Sequence, residues 1–304
     1  MKLLLRLTIS AFFAISCSIA AQEAEKLKVI YPETEIFLFD LDLVKDKEVL
    51  SGGKNVTLRE GYDNQPYFTK GSDSFLFSRG DDYQTDVYEY FLSSGETKRV
   101  THSDATEFSP TPFPDNKSIA FVSNRSASIW YGSRDDIDNP KWAQAANDNR
   151  EPIGYYAWNH KTGDILYWSQ YGFSVSLVHE SSQNYHFVTG NAVPSTPYII
   201  PGTNNFSFVH RQTNGQVWIK EFNPITKAVR PIITTVGENS NYCWTPDGSI
   251  LMIENNMLYR WIPDGEDDWV QIADLSKFGI VKANRLAVSP NAKILAVVGL
   301  PKGD

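Results

Sequence analysis

The chain has 304 residues and carries 28 Lys and Arg against 36 Asp and Glu, a formal net charge of −8. This acidic balance argues against nucleic acid and anionic lipid as partners, because their negative charges would repel the protein. The two cysteines are Cys17 and Cys243. Because Cys17 falls in the leader described next, we expect no intrachain disulfide, so burial must stabilise the fold.

The first 21 residues have the pattern of a secretory signal peptide. Lys2 and Arg6 form a short basic segment, and residues 7–15 form an apolar segment too short to span a bilayer. Residues 18–21 supply the small side chains that a signal peptidase needs. The sequence therefore predicts an exported protein, periplasmic or secreted, whose mature part is a single domain over residues 22–304.

A second interpretation of the leader is a lipoprotein box at residues 14–17, in which Cys17 would carry a lipid anchor. Removal of the leader takes away two basic residues, which leaves 26 basic and 36 acidic residues. No later segment is long and apolar enough to predict a transmembrane helix.

A motif of about 44 residues recurs six times along the mature chain. Each copy has a residue that precedes a short polar turn, and an apolar run follows that turn. The steps between copies are 45, 45, 42, 44 and 44 residues when the residues before the turn are aligned at Phe68, Phe113, Trp158, Ile200, Trp244 and Val288.

Within each copy, short β-branched and aromatic runs alternate with Gly, Pro, Asn and Asp turns, which predicts about four strands. Six such units are typical of an all-β, six-bladed β-propeller with four antiparallel strands in each blade. The last unit lacks two strands. Residues 35–41 and 48–50 have the pattern of a third and a fourth strand, so we expect the N-terminal segment to complete the last blade and close the ring.

The repeat resembles the WD40-like (PD40) propeller repeat of the TolB family. The resemblance covers residues 35–299 and is carried by Pro66, Tyr67 and Phe68, by residues 112–115 and 244–248, and by residues 98–101 at the end of a unit. It implies an exported six-bladed scaffold that binds a protein or peptide on one face. TolB itself has an α/β domain before its propeller. Only residues 22–34 precede the first predicted strand, so we expect a relative other than TolB.

In a propeller, the first strand of each blade lines the central channel, and we expect the residues just before that strand to surround one mouth. We expect ligand binding there, because polar and aromatic side chains can make directed hydrogen bonds and stack on a ligand. The candidate ligand-binding residues are Asn64, Gln65, Glu107, Ser109, Tyr155, Tyr156, Ser195, Thr196, Asn241, Tyr242, Asn284 and Arg285. The alternative is that these groups bond to one another and to channel water.

No cofactor is expected. A calcium ion in the mouth is a lesser hypothesis, because Glu107, Asn64, Asn241 and Asn284 offer oxygen atoms of the type that calcium prefers. Cys243 lies in a predicted first strand, where a buried, unreactive thiol is expected.

No serine-hydrolase elbow or zinc-protease motif is present. The predicted function is therefore non-catalytic: binding of a protein or peptide partner in the cell envelope, or of a small ligand, at the channel mouth. A metal-dependent hydrolase of the lactonase type and a structural component of the envelope are the alternatives.

Overall fold

The computed structural model describes residues 31–44, 49–143, 151–182, 184–265 and 267–303, and these form six sheets of four strands each. Every paired neighbour within a sheet is antiparallel. The fold is thus the predicted six-bladed propeller. The predicted leader lies outside the described residues, and no helix among those residues has the length and apolar character needed to cross a bilayer.

In the first three blades the strands follow one another along the chain. Blade 1 contains β3 (Tyr62–Phe68), β4 (Ser74–Gly80), β5 (Thr85–Phe91) and β6 (Thr97–Arg99). Blade 2 contains β7 (Glu107–Pro112), β8 (Ser118–Ser123), β9 (Ser128–Ser133) and β10 (Lys141–Trp142). Blade 3 contains β11 (Ile153–Asn159), β12 (Asp164–Ser169), β13 (Ser174–His179) and β14 (Tyr185–Thr189).

The next two blades have the same strand order. Blade 4 contains β15 (Tyr198–Ile199), β16 (Phe206–Arg211), β17 (Val217–Phe222) and β18 (Val229–Thr234). Blade 5 contains β19 (Tyr242–Trp244), β20 (Ile250–Glu254), β21 (Met257–Trp261) and β22 (Val270–Asp274).

Blade 6 joins the two ends of the described chain. Its order is β2–β1–β24–β23, with β1 (Glu35–Leu41), β2 (Leu50–Asn55), β23 (Ile280–Val288) and β24 (Ile294–Pro301). Six consecutive pairs join β1 to β24, from Glu35 opposite Gly299 to Asp40 opposite Ile294. The N-terminal strands therefore close the ring as predicted, and β24 has a partner on both sides.

The core lies between the blades. The described residues form six buried apolar clusters, and each of them takes side chains from two neighbouring blades. Ile36 of blade 6, for example, packs with Phe75 and Phe77 of blade 1. Both faces of the middle strands are therefore covered, which explains why their sequences are continuous apolar runs rather than alternating ones.

One local prediction differs from the structure. The strand predicted at 48–50 is β2, which begins at Leu50 and continues to Asn55. At the outer edge of blade 2, Trp142 of β10 pairs with Trp130 of β9, and the two indole rings stack.

Candidate functional site

Two inner strands each contain a bulge that directs a polar side chain toward the channel. Gln65 in β3 and Ser109 in β7 have left-handed backbone angles, with φ of +58° and +52°. The strand registers shift around both residues, so each is the extra residue of a β-bulge, a feature that re-aims a side chain. The Ser109 amide donates to Gln65 Oε1 at 2.7 Å, and Gln65 Nε2 donates to Ser109 Oγ at 3.2 Å.

The same chain of bonds continues into blade 3, because Ser109 Oγ donates to the carbonyl of Gly154 at 3.2 Å. Three neighbouring blades are thus joined around the channel. This part of the predicted site supports the alternative that the polar groups satisfy one another.

Arg285 of blade 6 reaches across the channel to the opposite blade. Its Nη2 donates to the hydroxyl of Tyr155 in blade 3 at 3.2 Å, and the guanidinium carbon lies 5.2 Å from the centre of the Tyr155 ring. Blades 3 and 6 are diametrically opposed in a ring of six, so this contact spans the channel. It combines a hydrogen bond with a cation–π interaction.

Five of the predicted residues line one narrow cavity of about 30 Å³ at this level: Gln65, Ser109, Tyr156, Thr196 and Arg285. Tyr155 lies beside them through its contact with Arg285. A volume of this size holds about one water molecule. The structure thus brings half of the predicted set together inside the channel.

The other predicted residues bond elsewhere. Asn64 donates to Thr34, and Asn241 donates to Asn239. Tyr242 is buried and exchanges a hydrogen bond of 2.7 Å with Ser207, and burial raises the pKa of its phenol well above the usual value. The remaining contacts connect blades: the Ser195 hydroxyl donates to the Ser240 carbonyl, and the Asn284 carbonyl accepts from Asn239.

Glu107 is turned away from the channel cavity into the space between blades 1 and 2. Its Oε1 accepts from the Ser103 hydroxyl at 2.6 Å, whereas its buried Oε2 has no hydrogen-bond partner among the described residues. Burial raises the pKa of this carboxyl, and the nearby Asp86 adds to the effect, although the hydrogen bond from Ser103 opposes it. Asp63 occupies the equivalent position in blade 1, two residues before the bulge residue Gln65, and it is also buried.

Two larger cavities lie at the opposite end of the inner strands, beside the turns that follow them. They have volumes of about 380 Å³ and 220 Å³. Both are lined by the same five residues, which we call the aromatic mouth: Tyr67, Phe68, Tyr198, Ile199 and Pro290. The larger cavity is also lined by Phe113, Trp158 and His160, and the smaller by Trp244 and Pro246. Tyr67 and Tyr198 also line the narrow cavity, so the aromatic mouth leads to Arg285.

The predicted site did not include the aromatic mouth, although the sequence holds a signal for it. Phe68, Phe113, Trp158 and Trp244 are the residues that mark the ends of the inner strands in the repeat alignment. Six strand ends meet at one face of a propeller, so aromatic residues that recur at these ends must surround that face. Cys243 lines the smaller cavity and is buried there, and burial raises the pKa of its thiol, as expected for an unreactive cysteine.

The four oxygen-bearing residues of the calcium hypothesis make separate contacts with Thr34, Ser103 and Asn239. Over the described ranges, no group of three or more His, Cys, Asp or Glu side chains is placed to hold a metal ion. The calcium site stays a prediction.

Comparisons with known proteins find similarity in the fold. No protein-family model matches the sequence, and no curated protein matches it either. A putative TolB from Agrobacterium tumefaciens superposes with a TM-score of 0.66 at 14% identity, over 88% of this chain and 99% of that one. TolB from Acinetobacter baumannii gives 0.54 at 12% identity, over 90% of this chain and 65% of that one.

An oligogalacturonate lyase from Vibrio parahaemolyticus also superposes, with a TM-score of 0.55 at 10% identity over 82% of this chain and 81% of that one. The fold is therefore that of the TolB-like six-bladed propellers, as the repeat indicated. This chain spans about two thirds of the Acinetobacter TolB, 65% of its length. Because a TolB and a lyase share the architecture, fold alone does not decide between binding and catalysis.

Proposed function

We propose that this protein is an exported, non-catalytic TolB-like propeller that binds a protein, peptide or small ligand at its central channel. The aromatic mouth is the place where the ligand enters. The observation that carries the proposal is the pair of cavities of about 380 Å³ and 220 Å³ that share the aromatic mouth and lead inward to the narrow cavity at Arg285.

The surface of the mouth has the chemistry of a binding site. The side chain of Tyr67 is 40% exposed at the centre of this face although it is large and mostly apolar. Rigid aromatic and proline side chains lose little conformational entropy when a ligand orders them, and they bury a large area. A concave, mainly apolar surface with a few polar groups at its base is the usual form of a ligand site.

A photo-crosslinking experiment tests this proposal. The photoreactive residue p-benzoylphenylalanine replaces Tyr67 in the full-length protein, which is expressed in its own cells and irradiated there. A matched control places the same residue at Tyr185, which is 57% exposed on the edge strand β14, far from the channel.

We expect an adduct of defined mass from position 67 that is absent from position 185. A Trp244→Ala variant of the 67-labelled protein should lose the adduct, because Trp244 lines the same face. Adducts that form equally at both positions, or at position 185 alone, would contradict a binding site at the aromatic mouth.

A further inference from the structure

The cavities of the channel carry a charge opposite to that of the protein as a whole. The chain has a formal net charge of −8. Yet no Asp or Glu among the described residues lines the narrow cavity or the two larger cavities at the aromatic mouth. Their charged lining residues are Arg285 at the base, and Lys70 and Lys161 at the rim of the larger cavity. The carboxylates of Asp115 and Glu180 act electrostatically on His160, which lines the larger cavity, but neither of them lines it.

Arg285 differs from the arginines that stabilise the blades. Arg59, Arg79, Arg99, Arg134 and Arg260 each form an ion pair with a carboxylate. Within the described ranges, the hydrogen bond found for the Arg285 side chain goes to the neutral hydroxyl of Tyr155. A guanidinium stays charged at every relevant pH, so the base of the channel holds a cation that pairs with no carboxylate of the described residues.

The tyrosines around Arg285 do not neutralise it. Burial raises the pKa of Tyr62 and of Tyr198 far above neutral pH. Both phenols therefore stay uncharged and can donate hydrogen bonds. A part-buried cation surrounded by neutral donors is favourable for an anion, because the anion gains a charge-assisted hydrogen bond in a region of low dielectric constant.

We propose that Arg285 binds the carboxylate of a ligand whose aromatic or apolar part occupies the aromatic mouth. This inference rests on the proposed function and specifies its ligand class. The narrow cavity of about 30 Å³ suits a small group that displaces one water, and the cavities above it have room for the rest of the ligand. A guanidinium can direct two parallel N–H donors at the two oxygens of a carboxylate, which favours this anion.

The carboxylate could be the C-terminus of a peptide or that of a small aryl acid, so the test has two arms. The first arm compares fluorine-labelled phenylpropionate with its carboxamide. The second compares the dipeptide acetyl-Pro-Phe with its C-terminal amide. Binding is measured by fluorine or proton NMR titration of the full mature protein at low salt. Because each acid differs from its amide only in charge and one donor group, the comparison needs no variant.

We expect the acid of at least one pair to bind about tenfold or more tightly than its amide, and added salt to reduce that preference. The arm that shows it identifies the source of the carboxylate. Arg285→Gln should abolish the preference, and Arg285→Lys should keep part of it, because lysine retains the charge but not the paired donors. Arg211→Gln is the matched control, because Arg211 lies exposed at the end of β16, and it should leave the preference unchanged.

Equal binding of acids and amides, with loss of both in Tyr67→Ala, would overturn the carboxylate inference and leave the proposed function standing. Failure of all four probes to bind would also overturn the inference. The crosslinking experiment at position 67 then decides the proposed function separately, since it does not depend on the charge of the ligand.

Discussion

Closure of the ring by the N-terminal strands predicts that a single side chain in β1 supports the stability of the whole domain. Phe39 lies at the middle of this strand, and its side chain is 1% exposed. It belongs to the apolar cluster between blades 5 and 6, and its ring makes an edge contact with Phe278 at a centroid distance of 5.0 Å. Phe39→Ala would remove this packing and leave a cavity between the two blades.

The expected loss can be worked out from this burial. Truncation of a fully buried Phe to Ala costs about 3–5 kcal/mol, which combines lost transfer free energy with the cavity that remains. Each kcal/mol lowers the melting temperature of a domain of this size by about 2–4 °C. We therefore expect Phe39→Ala to lower Tm by roughly 6–20 °C.

The assay is thermal unfolding followed by circular dichroism, with two comparison variants. Phe77→Ala removes an equally buried ring from blade 1 and should cost a similar amount. Phe187 on β14 is 57% exposed, so Phe187→Ala should change stability by less than about 0.5 kcal/mol. The reasoning would be refuted if Phe39→Ala melted like Phe187→Ala while Phe77→Ala showed the full loss. The strands that close the ring would then lie outside the cooperative unit.

Two buried carboxylates at equivalent positions should respond in opposite directions. Asp63 is fully buried and accepts from Arg79 at 2.8 Å and from Arg59 at 3.3 Å. Asp63→Ala should therefore lower the free energy of unfolding in urea by about 2–4 kcal/mol, because it leaves these cations unpaired. A loss below about 1 kcal/mol would contradict this. No Lys or Arg of the described residues forms an ion pair with Glu107, and its raised pKa means that the folded state holds the proton more tightly than the unfolded state. The stability that this group contributes is therefore present at acidic pH and is lost as pH rises from the ordinary carboxyl pKa of 4.5 through the raised pKa of the folded state. Glu107→Gln should raise Tm near pH 7.5 and should match the native protein near pH 4.5. A Tm below that of the native protein near pH 7.5 would show that the charged form is stabilised.

Much of the fold could be predicted from the sequence because the information is local and is repeated six times. Turn residues after Phe68, Phe113 and Trp244 fix the hairpins, and the apolar runs that follow them must be buried on both faces. The pattern at residues 35–41 matched the strand that the last unit lacked, and β1 spans those same residues.

The candidate site was predicted only in part, because the direction of a side chain on an inner strand depends on bulges and blade packing. Glu107 and Ser109 are two residues apart in β7, yet Ser109 lines the channel cavity and Glu107 lies between the blades. The positive φ of Ser109 re-aims its side chain, and a serine in the sequence does not predict that angle.

By itself, the sequence determined the number of blades, their strand order and the strand that closes the ring, since these follow from periodic turns and apolar runs. Tertiary structure alone decided which side chains meet in the channel. The aromatic mouth is assembled from the ends of inner strands that lie far apart in the chain, and Arg285 reaches Tyr155, 130 residues earlier, across the ring. Such proximity arises when the blades pack around a common axis, so the cation at the base of the channel appears only in the closed propeller.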